Sequence, residues 1–185
     1  MSFAQKISLN KLLKLLSLFT ALAIVFWTLK PGGLIWQILM LCAILWFLIE
    51  LYHNKTQTSK LKKSFLVGLF LMLFDFVVEN SGKIAGLWEG YNSLFFVLYV
   101  PAEVMILCLV GGMAWALYLP ERFDEVHSIC DILLFSTFGA LGEFILIKNG
   151  ILAYMGGWTS IHAFMGYAVT WMILHALNYR IIKMK

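Results

Sequence analysis

The chain has 185 residues, of which 62% are hydrophobic and 13% charged. A soluble domain carries about a quarter charged residues, so the composition excludes an ordinary water-soluble globule and makes a bilayer the expected solvent. The net charge of +4 comes from bases scattered at the edges of apolar runs, which excludes a nucleic-acid groove.

A spanning helix needs about 20 mostly apolar residues, and lipid leaves helices as the only open structure that satisfies its own backbone. Six runs meet or approach that length, at about 12–29, 34–52, 64–79, 93–119, 129–147 and 162–182. The first follows Lys6, Lys11 and Lys14 but lacks a small-x-small cleavage site, so it reads as a signal anchor. Pro31-Gly32-Gly33 turns the first hairpin. The polar stretch "HNKTQTSKLKK" parts spans two and three, and "PERFDEVHS" parts spans four and five. The expected fold is an all-α integral-membrane bundle of six transmembrane helices, one domain over 1–185.

Basic residues set the orientation. With both termini on one side, that side holds Lys6, Lys11, Lys14, Lys55, Lys60, Lys62, Lys63, Arg122, Arg180, Lys183 and Lys185, against Lys30, Lys83 and Lys148 on the other. The bias predicts cytoplasmic termini and a multi-pass protein of the cell membrane.

Five acids fall inside or close to apolar runs: Asp75, Glu79, Glu103, Asp131 and Glu143. A charge at mid-membrane is costly, and such residues face a bundle interior or a cavity. At 1.5 Å per residue, Asp75 lies about 16 Å into span three and Glu103 about 15 Å into span four. Asp75 and Glu79 share a helix face. Asp131 sits near the start of span five, where a carboxylate offsets the helix dipole. No base lies at mid-depth, and a lone carboxylic acid in low dielectric favours its neutral form. Asp75, Glu79, Glu103 and Glu143 are therefore expected to share one cavity in the outer half of spans three to six.

The loops beside them, "NSGKIAGLWEGYN" and "KNGILAYMGGWTS", are Gly-rich and aromatic. At an offset of 68, Asp75 meets Glu143, Gly82 meets Gly150 and Tyr99 meets Tyr167, which suggests two related hairpins whose links fold back over the cavity. Trp88, Tyr91, Asn92, Trp158 and His162 are the candidate lining, with an interfacial aromatic belt an equal reading of the Trp and Tyr residues. His53 and His127 fall in loops, and His175 reads as a packed or snorkelling residue. Cys42, Cys108 and Cys130 read as small apolar fillers.

No phosphate loop, dinucleotide fingerprint or metal-ligand spacing occurs, so neither a metal nor a cofactor is expected. Carboxylic acids and aromatic faces in an apolar cavity suit proton transfer to an apolar substrate: an acid protonates an alkene or epoxide, aromatic faces stabilise the cation, and a second carboxylate takes a proton back.

The series Asp75, Gly86-Leu87-Trp88, Tyr91-Asn92 and Pro101-Ala102-Glu103 resembles the integral-membrane lycopene cyclases, and is similar to carotenoid hydratases and small membrane terpene cyclases. The likeness covers about thirty residues. Glu103 is followed by Val104 where the family has a second glutamate, one extra residue separates Trp88 from Tyr91, and the Pro-x-Glu does not recur in the second half. The resemblance implies a redox-neutral cyclase, hydratase or isomerase, an isoprenoid substrate, membrane lipid as the other partner, and Glu103 as a principal acid. A proton-coupled carrier and a non-catalytic lipid-binding or scaffold subunit are the other function classes, and a homo-oligomer is compatible with all three.

Overall fold

A computed structural model describes residues 3–55 and 57–182. Lys183 and Lys185, counted above among the bases, lie outside them, as does the side chain of Lys6. Among the described residues six α-helices dominate: α1 (Phe3–Leu29), α2 (Ile35–His53), α3 (Thr58–Ile84), α4 (Ala102–Tyr118), α5 (Glu125–Lys148) and α6 (Ser160–Ala176). Four stretches are long and apolar enough to cross a membrane: Asn10–Leu29, Gly32–His53, Glu125–Lys148 and Ser160–Ile182. Their large apolar side chains face outward, among them Ile24, Leu45, Leu133 and Met172. The hydroxyls along α1 are hidden in the helix itself. Ser17, Thr20 and Thr28 donate to the carbonyls of Leu13, Leu16 and Ile24 at 2.9, 2.7 and 2.8 Å, so none of these three is left bare.

The remaining two helices differ from the sequence expectation. The span placed at 64–79 is part of a longer helix, α3, whose first turns carry Lys60, Lys62 and Lys63. The span placed at 93–119 is shorter than expected: α4 has 17 residues and begins only at Ala102. Residues 93–101 instead form a loop and a short hairpin of β2 (Phe96–Val97) and β3 (Val100–Pro101). Leu98 in its turn has a φ of 57°, and Pro101 lacks the N–H that a helix interior would use. Hydropathy alone cannot tell this hairpin from the start of a helix. Asp131 is not a helix cap either; Asp124 caps α5, accepting from the His127 backbone N–H at 3.0 Å.

Helices α3 and α4 pack against each other, as do α5 and α6, with α2 against α4 and α1 against α5. Gly68 and Gly112 let α3 and α4 approach to backbone contact. A methyl on Gly112 would meet the Gly68 Cα at 2.9 Å, the small-residue seam usual between membrane helices.

The helices alternate between two ends. At the end bearing both termini, Lys11 Nζ donates to the Tyr118 carbonyl at 3.1 Å and the Tyr179 hydroxyl to the Pro120 carbonyl at 2.9 Å. Its core is built on Leu15, Val67, Trp115, Phe135 and Leu174. At the far end a second core of Phe26, Ile35, Trp36, Ile145 and Ile151 lies under the loops.

Those loops are paired. β1 (Trp88–Gly90) runs antiparallel to β4 (Leu152–Tyr154), with Trp88 opposite Tyr154 and Gly90 opposite Leu152. Helices α3 and α5 lead into these strands by the same turn. Leu87 N–H bonds the Gly82 carbonyl at 2.9 Å and Gly86 N–H that of Lys83 at 3.0 Å; Ile151 N–H bonds Leu146 at 2.9 Å and Gly150 N–H bonds Ile147 at 3.0 Å. Gly86 and Gly150 hold φ of 69° and 70°, the left-handed closing residue of this cap. The two turns therefore match at an offset of 64 rather than 68. In that register Glu79, not Asp75, corresponds to Glu143.

Candidate functional site

Asp75 and Glu79 stand one turn apart on the face of α3 that looks into the bundle, and Glu143 approaches them from α5. All three lie within electrostatic reach of one another. No lysine, arginine or histidine is among the groups acting on them.

Each acid has a different set of neutral partners. The Cys108 thiol on α4 bonds to Asp75, and Asp75 Oδ2 is buried with no hydrogen-bond partner among the described residues. Glu79 Oε2 accepts from the Trp88 indole N–H at 2.8 Å. Glu143 accepts from the Tyr154 hydroxyl and from the Tyr167 hydroxyl on α6. The repeat register explains two of these contacts. Each carboxylate precedes the closing glycine of its helix by seven residues, and each is reached by an aromatic donor from the strand just beyond that glycine. Burial, and then the Glu143 carboxylate, hold the Tyr154 phenol far above its ordinary range.

Trp88 also begins an aromatic series. Its ring lies over Gly82, whose missing side chain makes the room. It meets Trp158 with centroids 4.7 Å apart, and Trp158 meets His162 at 5.2 Å. The His162 ring in turn accepts the Thr159 backbone N–H at 3.2 Å, closing a capping box on α6. Sequence reasoning therefore placed Trp88, Trp158 and His162 together, and they do form one cluster beside Glu79.

Glu103 is elsewhere. Because α4 starts at Ala102, Glu103 lies in its first turn and not at mid-depth. Its carboxylate accepts from Gln37 Nε2 at 2.7 Å, from the Leu94 backbone N–H at 3.0 Å and from the Ser93 hydroxyl. None of the other three acids is among its partners. The geometry ties the 93–101 loop to α2 and to the positive end of α4. Tyr91 is held by its backbone: its N–H bonds the Ile151 carbonyl at 2.7 Å, and its carbonyl accepts Trp36 Nε1–H at 2.9 Å. Its hydroxyl donates to Glu89, which also pairs with Lys83. Asn92 turns the chain at a φ of 58° and is exposed. Tyr91 and Asn92 thus shape the edge of the loop layer rather than the acid cluster.

Sequence reasoning missed Cys108, Tyr154 and Tyr167. Cys108 reads as a filler until α4 is set against α3. Tyr154 stands in the second Gly-rich loop, where its spacing from Glu143 matches that of Trp88 from Glu79 to within two residues. Two apolar grooves open on the outside of the bundle, one lined by Phe47, Leu61, Phe65 and Met113, the other by Thr20, Trp27, Phe138 and Phe144. Neither is lined by these acids. Among the described residues no three His, Cys, Asp or Glu side chains are placed to hold a metal ion.

The chemistry available is proton transfer. Three carboxyl groups, two phenols and a thiol can each give up or take up a proton, and among the described residues no fixed cation is among the groups acting on the carboxyls. No family model, curated protein or solved structure matches this chain.

Proposed function

We propose that the chain is a six-span protein of the cell membrane with both termini in the cytoplasm, and that it carries out redox-neutral proton chemistry on an isoprenoid-class substrate. The observation that carries this reading is the buried, unpartnered Asp75 Oδ2 inside a cluster whose other members are all proton carriers. Asp75 hands its proton to one carbon of an alkene, and the π pair forms the new C–H bond. The cation left on the neighbouring carbon is stabilised by the electron-rich indoles of the Trp88–Trp158 cluster. Glu143, as carboxylate, takes a proton from an adjacent carbon, and the freed C–H pair closes the new double bond. The net result is isomerisation or, when a second alkene attacks the cation first, cyclisation. Glu79 sits between the two roles, one turn from Asp75 and bonded to Trp88.

This assignment moves the leading acid from Glu103 to Asp75 and gives Glu103 the work of holding the loop. The experiment is turnover of polyene and prenyl substrates by membranes carrying wild type, Asp75→Asn or Glu103→Gln at matched protein levels. Loss of a positioned acid lowers rate by about 10²–10⁴; Asp75→Asn is expected to fall in that range and Glu103→Gln to retain most activity. An inactive wild type would pass the cluster to proton-coupled transport or to lipid binding. The reverse ranking of the variants would return Glu103 to the centre.

A further inference from the structure

A second polar site lies at the end that bears the termini, and the proton chemistry above does not use it. Asp131 on α5 is fully buried. Its Oδ2 accepts from the Trp115 indole N–H of α4 at 2.8 Å and lies 3.0 Å from His175 Nε2 of α6. An indole N–H only donates, and a carboxylate only accepts. The hydrogen between Asp131 and His175 therefore belongs to Nε2. A neutral ring so held is the Nε2–H tautomer, with a lone pair fixed on Nδ1.

That lone pair has nothing to accept from. His175 Nδ1, Asp131 Oδ1 and both side-chain atoms of Asn178 are buried with no hydrogen-bond partner among the described residues, and Asn178 is only 1% exposed. Asn178 follows His175 by three residues and so shares its helix face. It stands where α6 widens into a π-helix over Leu177–Ile182, a distortion often found at functional sites. Buried polar groups are satisfied in folded proteins by protein or by water, and a site with several convergent polar atoms is the kind that water fills. On the side towards the bundle centre stand Phe135 and Trp171, one turn from Asp131 and His175, with centroids 4.3 Å apart. Around it stand Lys11 of α1, Glu50 of α2, Tyr118 of α4, Asp124 at the cap of α5, His127 of α5, and Tyr179 of the π-helix.

We propose that Asp131, His175 and Asn178 form a second internal site that holds ordered water on His175 Nδ1, with Asp131 the positioning residue that fixes the imidazole tautomer. The water enters from the terminus-bearing end and is kept from the outer acids by the Phe135–Trp171 layer.

The test is nitrogen-15 NMR of the full chain, histidine-labelled, in lipid nanodiscs, with His175 assigned through His175→Gln. The expected wild-type spectrum shows one neutral tautomer for His175, protonated at Nε2, and a magnetisation-transfer peak between its ring and water. Asp131→Asn is expected to mix or invert the tautomer, whereas Trp115→Phe, which removes the other donor to the same oxygen, leaves it unchanged. A proton on Nδ1 in the wild type, a ring without a water peak, or an Asp131→Asn spectrum identical to wild type would each overturn the proposal. Should Asp131→Asn fail to fold, the wild-type tautomer and water peak decide the matter alone.

Discussion

Gly82 provides the sharpest test of how the acid cluster is built. It lies on the last turns of α3, against the six-membered ring of Trp88, and a methyl added there would come within 1.9 Å of Cζ2 and 2.3 Å of Cε2 and Cη2. The ring cannot simply tilt away, because its N–H is bonded to Glu79 at 2.8 Å and its other side meets Trp158 at 4.7 Å. Gly82→Ala should therefore expel the indole and strip Glu79 of its donor. Overpacking costs about 1–3 kcal/mol and an unpaired buried acceptor about 1–3 kcal/mol, while alanine returns up to about 1 kcal/mol of helix propensity. The net loss is about 3 kcal/mol, or about 6–12 °C in Tm for a chain of this size. Gly142→Ala is the control: it is also helical, one residue before Glu143, with nothing within 4 Å of the added methyl, and should leave Tm unchanged or slightly raised. The assay is thermal unfolding in detergent followed by tryptophan emission, where only Gly82→Ala also shifts the native spectrum. Equal Tm values for the two variants would refute the packing of Trp88 over α3.

Other outcomes follow from the same contacts. Tyr154→Phe removes one donor to Glu143 and should cost about 1–2 kcal/mol in unfolding experiments, with a larger loss when Tyr167 is also changed to Phe. Glu103→Ala leaves the Leu94 N–H without its acceptor and releases Ser93 and Gln37 from the carboxylate; proteolysis within 93–101 should speed up, whereas Asp75→Ala should not expose that loop. The Lys83 and Tyr91 hydrogen bonds hold the Glu89 carboxyl below its ordinary range. Stability tied to Glu89 is thus fully present above the ordinary glutamate pKa of about 4.3 and is lost as pH falls through the lowered folded value. Glu89→Gln should flatten that acid-side slope in Tm measured against pH. A cysteine placed near Lys60, at the exposed Lys62, should resist membrane-impermeant label in intact cells; labelling from outside would reverse the orientation.

Part of the acid cluster was legible in the chain because its signals are local. Two acids four residues apart must share a face of α3, and two Gly-rich aromatic loops between apolar runs must meet above them. The paired turns were visible too, but in the wrong register. Residue identities favoured an offset of 68, whereas the backbone aligns Gly86 with Gly150, where only left-handed φ and the cap hydrogen bonds matter. Glu103 was misplaced for a related reason. The segment "SLFFVLYVP" is as apolar as a helix, and only the left-handed turn at Leu98 and the missing N–H of Pro101 make it a hairpin. The Asp131–His175 pair could not be read at all. Its members are 44 residues apart, on helices whose contact no local pattern reports, so a buried hydrogen-bonded histidine looked like one that merely packs.

The most direct measurement of proton handling at Asp75 is the fate of solvent hydrogen. Purified protein in lipid nanodiscs is incubated with a polyene or prenyl substrate in deuterated water, and the recovered isoprenoid is examined by mass spectrometry and NMR. Proton transfer from the Asp75 cluster to an alkene carbon should place one deuterium per turnover on that carbon in the wild type, with the rate of incorporation falling about 10²-fold or more in Asp75→Asn. Product formed without deuterium at carbon, or deuterium incorporated at an undiminished rate by Asp75→Asn, would contradict it.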